Sequence, residues 1–412
     1  MYKEYGEKIG IEHGEKQSDR TDGKRRKEMD RTEIACSAWF QKIEHFGAVT
    51  LFRLQEHFGT MFRAYEGQES MLREVLTAKQ YTAFKAARYA GEPLAYLEKV
   101  ESMGIRYVPF RDEVYPQKLR CIPDPPFGLF VKGNLPDESR PGIAMVGARA
   151  CSEYGKAVAR KFAAELASYG VQVISGMARG IDSVSQQACL EAGGRTFAVL
   201  GNGVDICYPG ELKGLYNEIQ KYGGLISFYA PGMPPAAGNF PPRNRIISGL
   251  SDVVLVVEAR RKSGTLITVD MALEQGREVA VVPGRITDEL SQGCYDLIKQ
   301  GASMIMETEQ LLELLTDAHK LQSFSKDFFR KESDTSHKNE RNGIDISSIQ
   351  GLDEKLRSIF KVLDLDPAEP EFLYAKWQKE GKSGTFQSFM EGLMDLELMD
   401  LCKSEKNRFS IR

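Results

Sequence analysis

Arginine, lysine and aromatic side chains recur in glycine-rich segments in the second half of the chain. These residue types bind phosphates and stack on nucleic-acid bases. The densest segment is FPPRNRIISGLSD (Phe240–Asp252), where Arg243, Asn244 and Arg245 place three hydrogen-bonding side chains in a row. Proline favours a helix start, and the helix dipole favours an anion there. The segment predicts an anion site, although one of the two arginines could instead pair with a carboxylate inside the fold.

A second candidate loop is Gly147-Ala148-Arg149, followed by Ser152. Gly147 permits a tight turn, and Ser152 is suited to cap the next helix. Arg149 then adds a guanidinium beside free backbone N–H groups, which outlines a phosphate site. The alternative is a surface arginine next to a structural glycine.

The next two glycine-rich segments each allow a structural and a ligand-binding interpretation. In SGMARGID, which ends at Asp182, the carboxylate is expected to cap the next helix rather than contact a ligand. GNGVDICYPGELKG, from Gly201, brings Tyr208 and Lys213 together, which suits stacking plus phosphate contact. Packing of Tyr208 against the sheet edge is an equal alternative. A third segment, ARRKSGTLIT from Ala259, places basic side chains at a glycine-containing turn that leads into a helix.

The groups that usually perform catalysis are missing from these loops. All five histidines (His13, His45, His57, His319 and His337) lie outside residues 140–316, so no histidine-based catalytic or metal site is expected there. No P-loop or GxSxG elbow follows the apolar runs. The cysteines of this region (Cys151, Cys189, Cys207 and Cys294) lack a neighbouring base and are expected to be small core residues. The sequence therefore predicts a binding protein that is not an enzyme and uses no cofactor or metal.

Short apolar runs rich in β-branched residues precede these loops and must position them. The runs are GIAMVG, VQVISG, TFAVLG, GLIS, DVVLVVEA and EVAVVPG, separated by segments of helix length. Runs that are apolar on both faces and alternate with helices are typical of a parallel sheet covered on both sides. The sequence predicts a doubly wound α/β domain, with ligands at the carboxyl ends of the strands.

The segments on either side of the predicted α/β domain differ from it in composition and hydrophobic pattern. We expect a polar lead (1–32), a small helical domain resembling a SAM or helix-hairpin-helix module (33–104), the α/β domain (105–320), a polar linker (321–350) and a winged-helix-like tail (351–412). Gly47 and Gly59 are expected to be helix stops or turn positions. A polar turn at 403–407 is expected between two short strands of the tail.

Composition limits the class of protein. The chain has 412 residues, 42% of them hydrophobic and 27% charged, which excludes global disorder. Its formal net charge of -3 excludes a polycationic coat but allows a local phosphate site. No apolar run approaches the ~20 residues of a membrane helix, so no membrane insertion is expected. Seven cysteines without a CxxC pair favour a reducing, cytoplasmic location.

The order and spacing of the loops resemble those of the DNA-processing protein A family, DprA/Smf. The motifs that carry the resemblance are GARACSEYG, SGMARGID, GNGVDICYP, FPPRNRIISGLS, SGTLIT and VPG, preceded by YPQKL, DPP and LFVKG. The resemblance covers residues 105 to about 301. It implies an extended Rossmann-like fold that binds single-stranded DNA and catalyses no known reaction. It also implies protection of incoming strands in natural transformation, loading of the RecA recombinase, and a homodimer formed through the Rossmann-like domain.

The resemblance also assigns site residues. The family's phosphate pocket corresponds to Gly147, Arg149, Ser175, Gly176, Lys213, Arg243, Asn244 and Arg245. Tyr208 and Phe240 are our candidates for stacking on bases. The chain departs from the family at two positions: Ala148 replaces the usual Ser/Thr before the arginine, and Phe228 replaces a Glu after Ser227.

Two other classes of protein remain as alternatives. A related Rossmann-like group of phosphoribohydrolases carries a PGGxGT loop followed by a catalytic Glu. Here Gly264-Thr265 is followed by Leu266-Ile267-Thr268, without a carboxylate, which disfavours a nucleotide hydrolase. The third class is an adaptor acting through the tail, which could contact duplex DNA or protein.

Overall fold

The computed structural model describes residues 30–318, 354–363, 368–379, 384–399, 401–405 and 408–411. Nearly all of the predicted lead and the whole predicted linker lie outside these residues, so both remain predictions. The described residues form two compact units. The first contains residues 30–151 and 158–318. The second contains residues 152–157 and the described residues from 354 onward.

Six helices make up the described chain before residue 105. They are α1 (Arg31–Gln41), α2 (Ala48–Phe58), α3 (Met61–Glu66), α4 (Glu69–Val75), α5 (Ala78–Ala90) and α6 (Pro93–Ser102). As predicted, Gly47 precedes α2 and Gly59 ends it with a φ of 80°. Trp39 is fully buried among these helices, and its Nε1 donates to the Gly91 carbonyl at 3.0 Å. An aromatic core therefore holds α1 to α5 together, whereas Leu97 and Val100 of α6 pack in a second core with residues of the sheet.

A nine-stranded sheet forms the centre of the first unit, in the order β1-β2-β6-β5-β4-β3-β7-β8-β9. Its strands are β1 (Arg106–Pro109), β2 (Gly128–Gly133), β3 (Gly142–Val146), β4 (Gln172–Ser175), β5 (Thr196–Val199), β6 (Gly224–Ser227), β7 (Val253–Val256), β8 (Glu278–Val281) and β9 (Ser303–Met304). Neighbouring strands among β3 to β9 pair in parallel. At one edge β2 pairs antiparallel with β6 and with β1. All six predicted apolar runs form strands, β3 to β8.

Helices cover both faces of this sheet. They are α7 (Gln117–Arg120), α8 (Glu153–Ser168), α9 (Ile181–Glu191), α10 (Lys213–Tyr222), α11 (Phe240–Gly249), α12 (Gly264–Glu274), α13 (Gln292–Lys299) and α14 (Thr308–Ala318). Alternate residues of β7 show the two faces: Val254 packs in the core that contains Ile246 of α11, whereas Leu255 packs in the core that contains Phe162 of α8. The predicted doubly wound α/β fold is confirmed.

A glutamine joins the helical region to the antiparallel edge of the sheet. Gln41 Nε2 donates to the carbonyls of Gly128 at 3.0 Å and Phe228 at 2.7 Å. Its Oε1 accepts a hydrogen bond from the Tyr107 hydroxyl at 2.7 Å. The end of α1 is therefore bonded to β1, to β2 and to the residue that follows β6.

The second unit contains α15 (Glu354–Phe360), α16 (Pro370–Lys379), α17 (Phe386–Leu398) and the hairpin of β10 (Cys402–Glu405) and β11 (Arg408–Ile411). Trp377 and Phe389 lie in its core, with ring centroids 5.4 Å apart. The helical segment followed by two short strands agrees with the predicted tail, but residues 403–405 of the predicted turn lie in β10. Identification of this unit as a winged helix stays a prediction.

A buried carboxylate ties the start of the parallel sheet to α7. Asp252, directly before β7, accepts hydrogen bonds from the Gly142 amide at 2.8 Å and from Lys118 Nζ at 2.7 Å. The Asp252 side chain is 4% exposed and that of Lys118 17%. Burial lowers the pKa of Lys118, because the charged ammonium loses hydration. The Lys118 cation therefore depends on the Asp252 carboxylate.

Replacing Asp252 by asparagine should lower the free energy of unfolding by about 2–3 kcal/mol, because the variant leaves the Lys118 charge uncompensated in a buried site. Urea denaturation measures this change. The matched control is Glu101→Gln, which breaks the exposed Arg31–Glu101 ion pair and should cost less than about 1 kcal/mol. Equal losses in the two variants would contradict a stabilising role of Asp252 specific to the buried pair.

Candidate nucleic-acid interface

The predicted site residues lie around the carboxyl ends of β3, β4 and β5. Chain connections reverse direction in the sheet between β3 and β7, because β4, β5 and β6 follow on one side of β3 and β7 lies on the other. Ligands of doubly wound sheets bind beside this reversal point. Gly147 and Arg149 follow β3 there, and Ser152 caps α8 by accepting from the Gly155 amide at 3.0 Å, as predicted.

Arg243 is the buried centre of the arrangement. Pro241 and Pro242 occupy the first turn of α11, and Arg243 on the next turn is only 4% exposed. Its Nη1 donates to the Gly176 carbonyl at 2.8 Å and to the Val199 carbonyl, and its Nε donates to Asn244 Oδ1 at 3.1 Å. Burial lowers the pKa of Arg243 to about 10, so the guanidinium remains charged at neutral pH. Arg243 therefore fastens α11 to the ends of β4 and β5.

Two glycines permit α11 to approach the strand ends this closely. A Cβ atom on Gly176 would lie 2.7 Å from Cζ, Nη1 and Nη2 of Arg243, so the guanidinium lies flat against the Gly176 backbone. A Cβ atom on Gly201 would lie 2.8 Å from the ring of Phe240. These contacts explain why glycine stands at both positions.

Ser175, at the end of β4, and Asp182, at the start of α9, have structural contacts. The Ser175 hydroxyl is fully buried and donates to the Met145 carbonyl at 2.6 Å. Asp182 does not cap α9 as predicted: Gly180 occupies the cap position, and Asp182, in the first turn, accepts from the Gly176 amide at 3.1 Å. Burial raises the pKa of Asp182, while the nearby charge of Arg243 opposes that rise. Asp182 therefore orients the peptide beside the Arg243 guanidinium.

The exposed part of the site is a cluster of Arg149, Phe240 and Tyr208. The Arg149 guanidinium carbon lies 5.7 Å from the Phe240 ring centroid. The Phe240 and Tyr208 centroids lie 5.8 Å apart with an interplanar angle of 31°. Arg149 is exposed and Tyr208 is 45% exposed. This Arg149–Phe240–Tyr208 cluster offers an exposed cation and an exposed ring to solvent, with the half-buried Phe240 ring between them.

The remaining predicted site residues have other contacts. Arg245 is 8% exposed, its Nε lies 2.9 Å from Asp124 Oδ2, and its guanidinium packs over the Phe228 ring at 4.8 Å. Arg245 therefore pairs with a carboxylate, which is the alternative that the sequence left open for one of the two arginines. Asn244 is half-buried and bonded to Arg243. Lys213 is exposed at the start of α10, with Nζ 4.4 Å from the Tyr216 ring centroid.

The sequence prediction omitted Arg179 from the site. Arg179 is exposed in the loop between β4 and α9. The next residue, Gly180, has a φ of 79°, and a Cβ atom there would lie 2.2 Å from the Ala148 carbonyl oxygen. The Arg179 loop therefore packs directly on the Arg149 loop. The sequence signal that could have pointed to Arg179 is the presence of a basic residue between the two glycines of SGMARGID.

Within the described residues we also considered reactive thiols, metal sites and membrane-spanning helices. Cys189 and Cys294 are buried, and burial raises their pKa values to about 12 and about 11, so both stay protonated thiols. Cys151 and Cys207 are half-buried. Across the described ranges no group of three or more His, Cys, Asp and Glu side chains is placed to hold a metal ion. Among those same residues no helix has the length and apolarity needed to cross a membrane.

Replacing Gly176 by alanine should lower the free energy of unfolding by about 1–3 kcal/mol, because the new methyl group would displace the Arg243 guanidinium from its carbonyl acceptors. Thermal or urea denaturation measures the loss. Gly210→Ala is the matched control, since a Cβ atom there meets nothing within 4 Å. A Gly176→Ala variant as stable as Gly210→Ala would show that the tight contact is not required.

Comparison with known proteins assigns the family. Residues 106–316 match the family described as DNA recombination-mediator protein A. Protein Smf of Escherichia coli is 43% identical over 246 residues, which cover 58% of this chain and 66% of that protein. The DNA processing protein DprA of Streptococcus pneumoniae is 43% identical over 201 residues, covering 49% of this chain and 71% of that protein. The X-ray structure of Streptococcus pneumoniae DprA aligns with a TM-score of 0.59 and 31% identity over 69% of this chain and 98% of that one. The chain therefore belongs to the DNA recombination-mediator protein A family, DprA/Smf.

Proposed function

We propose that this protein binds single-stranded DNA without sequence preference and that the Arg149–Phe240–Tyr208 cluster is its primary contact. The observation that carries the proposal is the combination of an exposed guanidinium with two neighbouring rings at the carboxyl edge of the sheet. Single-strand binding combines cations along the phosphates with aromatic rings that receive bases. Every base has a face that can stack, so such a site tolerates any sequence.

The buried residues of the site support this role indirectly. Arg243 and Gly176 fix the start of α11, and Phe240 lies one turn before Arg243 on that helix. Lys213 adds a second exposed cation on the β5–α10 side. In this proposal Arg149 and Lys213 contact phosphates, whereas Arg243, Asn244, Arg245 and Ser175 hold the framework. Gly147 is needed because a Cβ there would lie 2.6 Å from Ile181 Cγ1.

The proposed activity is binding, not turnover. Arginine side chains bind anions rather than transfer protons, and a phenylalanine ring has no proton to transfer, so Arg149 and Phe240 are poor acid–base groups. We propose that the bound strand is handed to the RecA recombinase, and that the protein acts as a homodimer through the Rossmann-like domain in the cytoplasm. The family description, recombination mediator, supports a role in recombination. The resemblance of the loop motifs to that family supports the proposals on RecA, natural transformation and the dimer.

Replacing Arg149 by alanine should weaken binding to an oligothymidylate about tenfold, because a charge-assisted contact to phosphate is lost. The slope of log affinity against log salt should become shallower by about 0.7. Fluorescence anisotropy across a salt series measures both. Lys221→Ala, at the far end of α10, removes one exposed cation outside the cluster and is the matched control. Unchanged affinity and slope in Arg149→Ala would contradict the site.

Replacing Phe240 by leucine should weaken oligothymidylate binding by about 1–3 kcal/mol, because leucine keeps apolar contact with Gly201 but cannot stack on a base. The slope of the salt dependence should stay unchanged, since no phosphate contact is removed. Tyr222→Leu, which changes a tyrosine that is 50% exposed outside the cluster, is the control. If Phe240→Leu and Tyr222→Leu bind alike, Phe240 is not a stacking residue.

A further inference from the structure

An exposed ion pair lies beside the Arg149–Phe240–Tyr208 cluster. Glu211, three residues after Tyr208, accepts a hydrogen bond through Oε1 from Nε of Arg179. The side chains of Arg179 and Glu211 are 66% and 51% exposed. The pair bridges the loop after β4 and the loop after β5, so it spans the same strand ends that frame the proposed DNA site.

Arg179 lies next to the Arg149 loop. The Ile181 amide donates to the Ala148 carbonyl at 3.3 Å, and a Cβ on Gly180 would lie 2.6 Å from the Arg149 carbonyl oxygen. A strand that contacts the Arg149 loop would therefore run beside the loop that carries Arg179.

Glu211 neutralises that guanidinium in the free protein. The hydrogen bond from Arg179 lowers the pKa of Glu211, so its carboxylate is ionised at neutral pH. Exposed ion pairs contribute little to stability, since water hydrates both partners well. A phosphate offers the guanidinium two acceptor oxygens in the geometry it prefers, so it can replace Glu211.

We propose that Arg179 is a further phosphate-binding residue and that Glu211 is a built-in counter-anion, displaced when the strand binds, which limits the affinity of the site. The proposal rests on the single-stranded DNA binding proposed above. It assigns Glu211 an inhibitory effect on binding, so removing a carboxylate should strengthen the complex. It also requires that this gain depends on Arg179, because the freed guanidinium is what the phosphate then contacts.

The test uses the full-length chain and a fluorescein-labelled oligothymidylate over a salt series. Glu211→Gln should raise the affinity about two- to fivefold, the range expected for an exposed ion pair. The slope of its salt dependence should steepen by up to about 0.7, the contribution of one phosphate contact on a single strand. Arg179→Ala should weaken binding, and adding Glu211→Gln to Arg179→Ala should restore little. Glu218→Gln, an exposed carboxylate on α10, is the matched control for the change in net charge.

The outcomes separate this inference from the proposed function. A gain that is equal in Glu211→Gln and Glu218→Gln, or that persists in the Arg179→Ala background, would overturn the counter-anion role. Unchanged affinity in Glu211→Gln together with a clear loss in Arg149→Ala would overturn only this inference. No measurable binding by the wild-type protein would overturn both.

Discussion

The hydrogen bonds from the buried Arg243 guanidinium to the carbonyls of Gly176 and Val199 connect helix α11 to the ends of β4 and β5. A buried cation is tolerated only where acceptors replace its hydration. Here backbone oxygens at the strand ends, the Asn244 side chain and the field of Asp182 supply that replacement. The helix start is thereby held in one place, and the position of Phe240 follows from it.

This arrangement divides the arginines of the region between two roles. Arg243 and Arg245 are buried and bonded to other parts of the chain, whereas Arg149 and Arg179 are exposed on neighbouring loops. Because the framework is formed by intramolecular bonds, the rings are in position before a ligand arrives. Affinity then depends less on ordering flexible side chains, which is the usual entropic cost of binding.

The amino-acid sequence predicts the fold well, for identifiable physical reasons, and it predicts which loops the fold brings together. Strands β3 to β8 are recognisable because helices cover both faces, so their central positions are apolar on both sides of the sheet. Parallel strands also place their carboxyl ends at one edge, which brings the loops together.

The contacts that each arginine makes in the folded protein are much harder to predict. The acceptors of Arg243 are backbone carbonyls, which every residue has, so the sequence contains no signal for them. Asp124, the partner of Arg245, is 121 residues away along the chain. Asp182 resembles a helix cap in sequence because it precedes a helical pattern, yet the cap position of α9 lies two residues earlier, at Gly180. The contact of Arg179 with Glu211 likewise depends on two loops that meet only in the folded protein.

The edges of the sheet determine how two copies of the chain can associate. The strand at one edge, β1, is four residues long and lies against α1 and α6, and the strand at the other edge, β9, has two residues. Short or covered edge strands offer few unpaired backbone groups to another chain. Growth of a continuous sheet across a dimer is therefore disfavoured. We therefore expect self-association of this unit to use side chains on its surface, which single substitutions can change without altering the sheet.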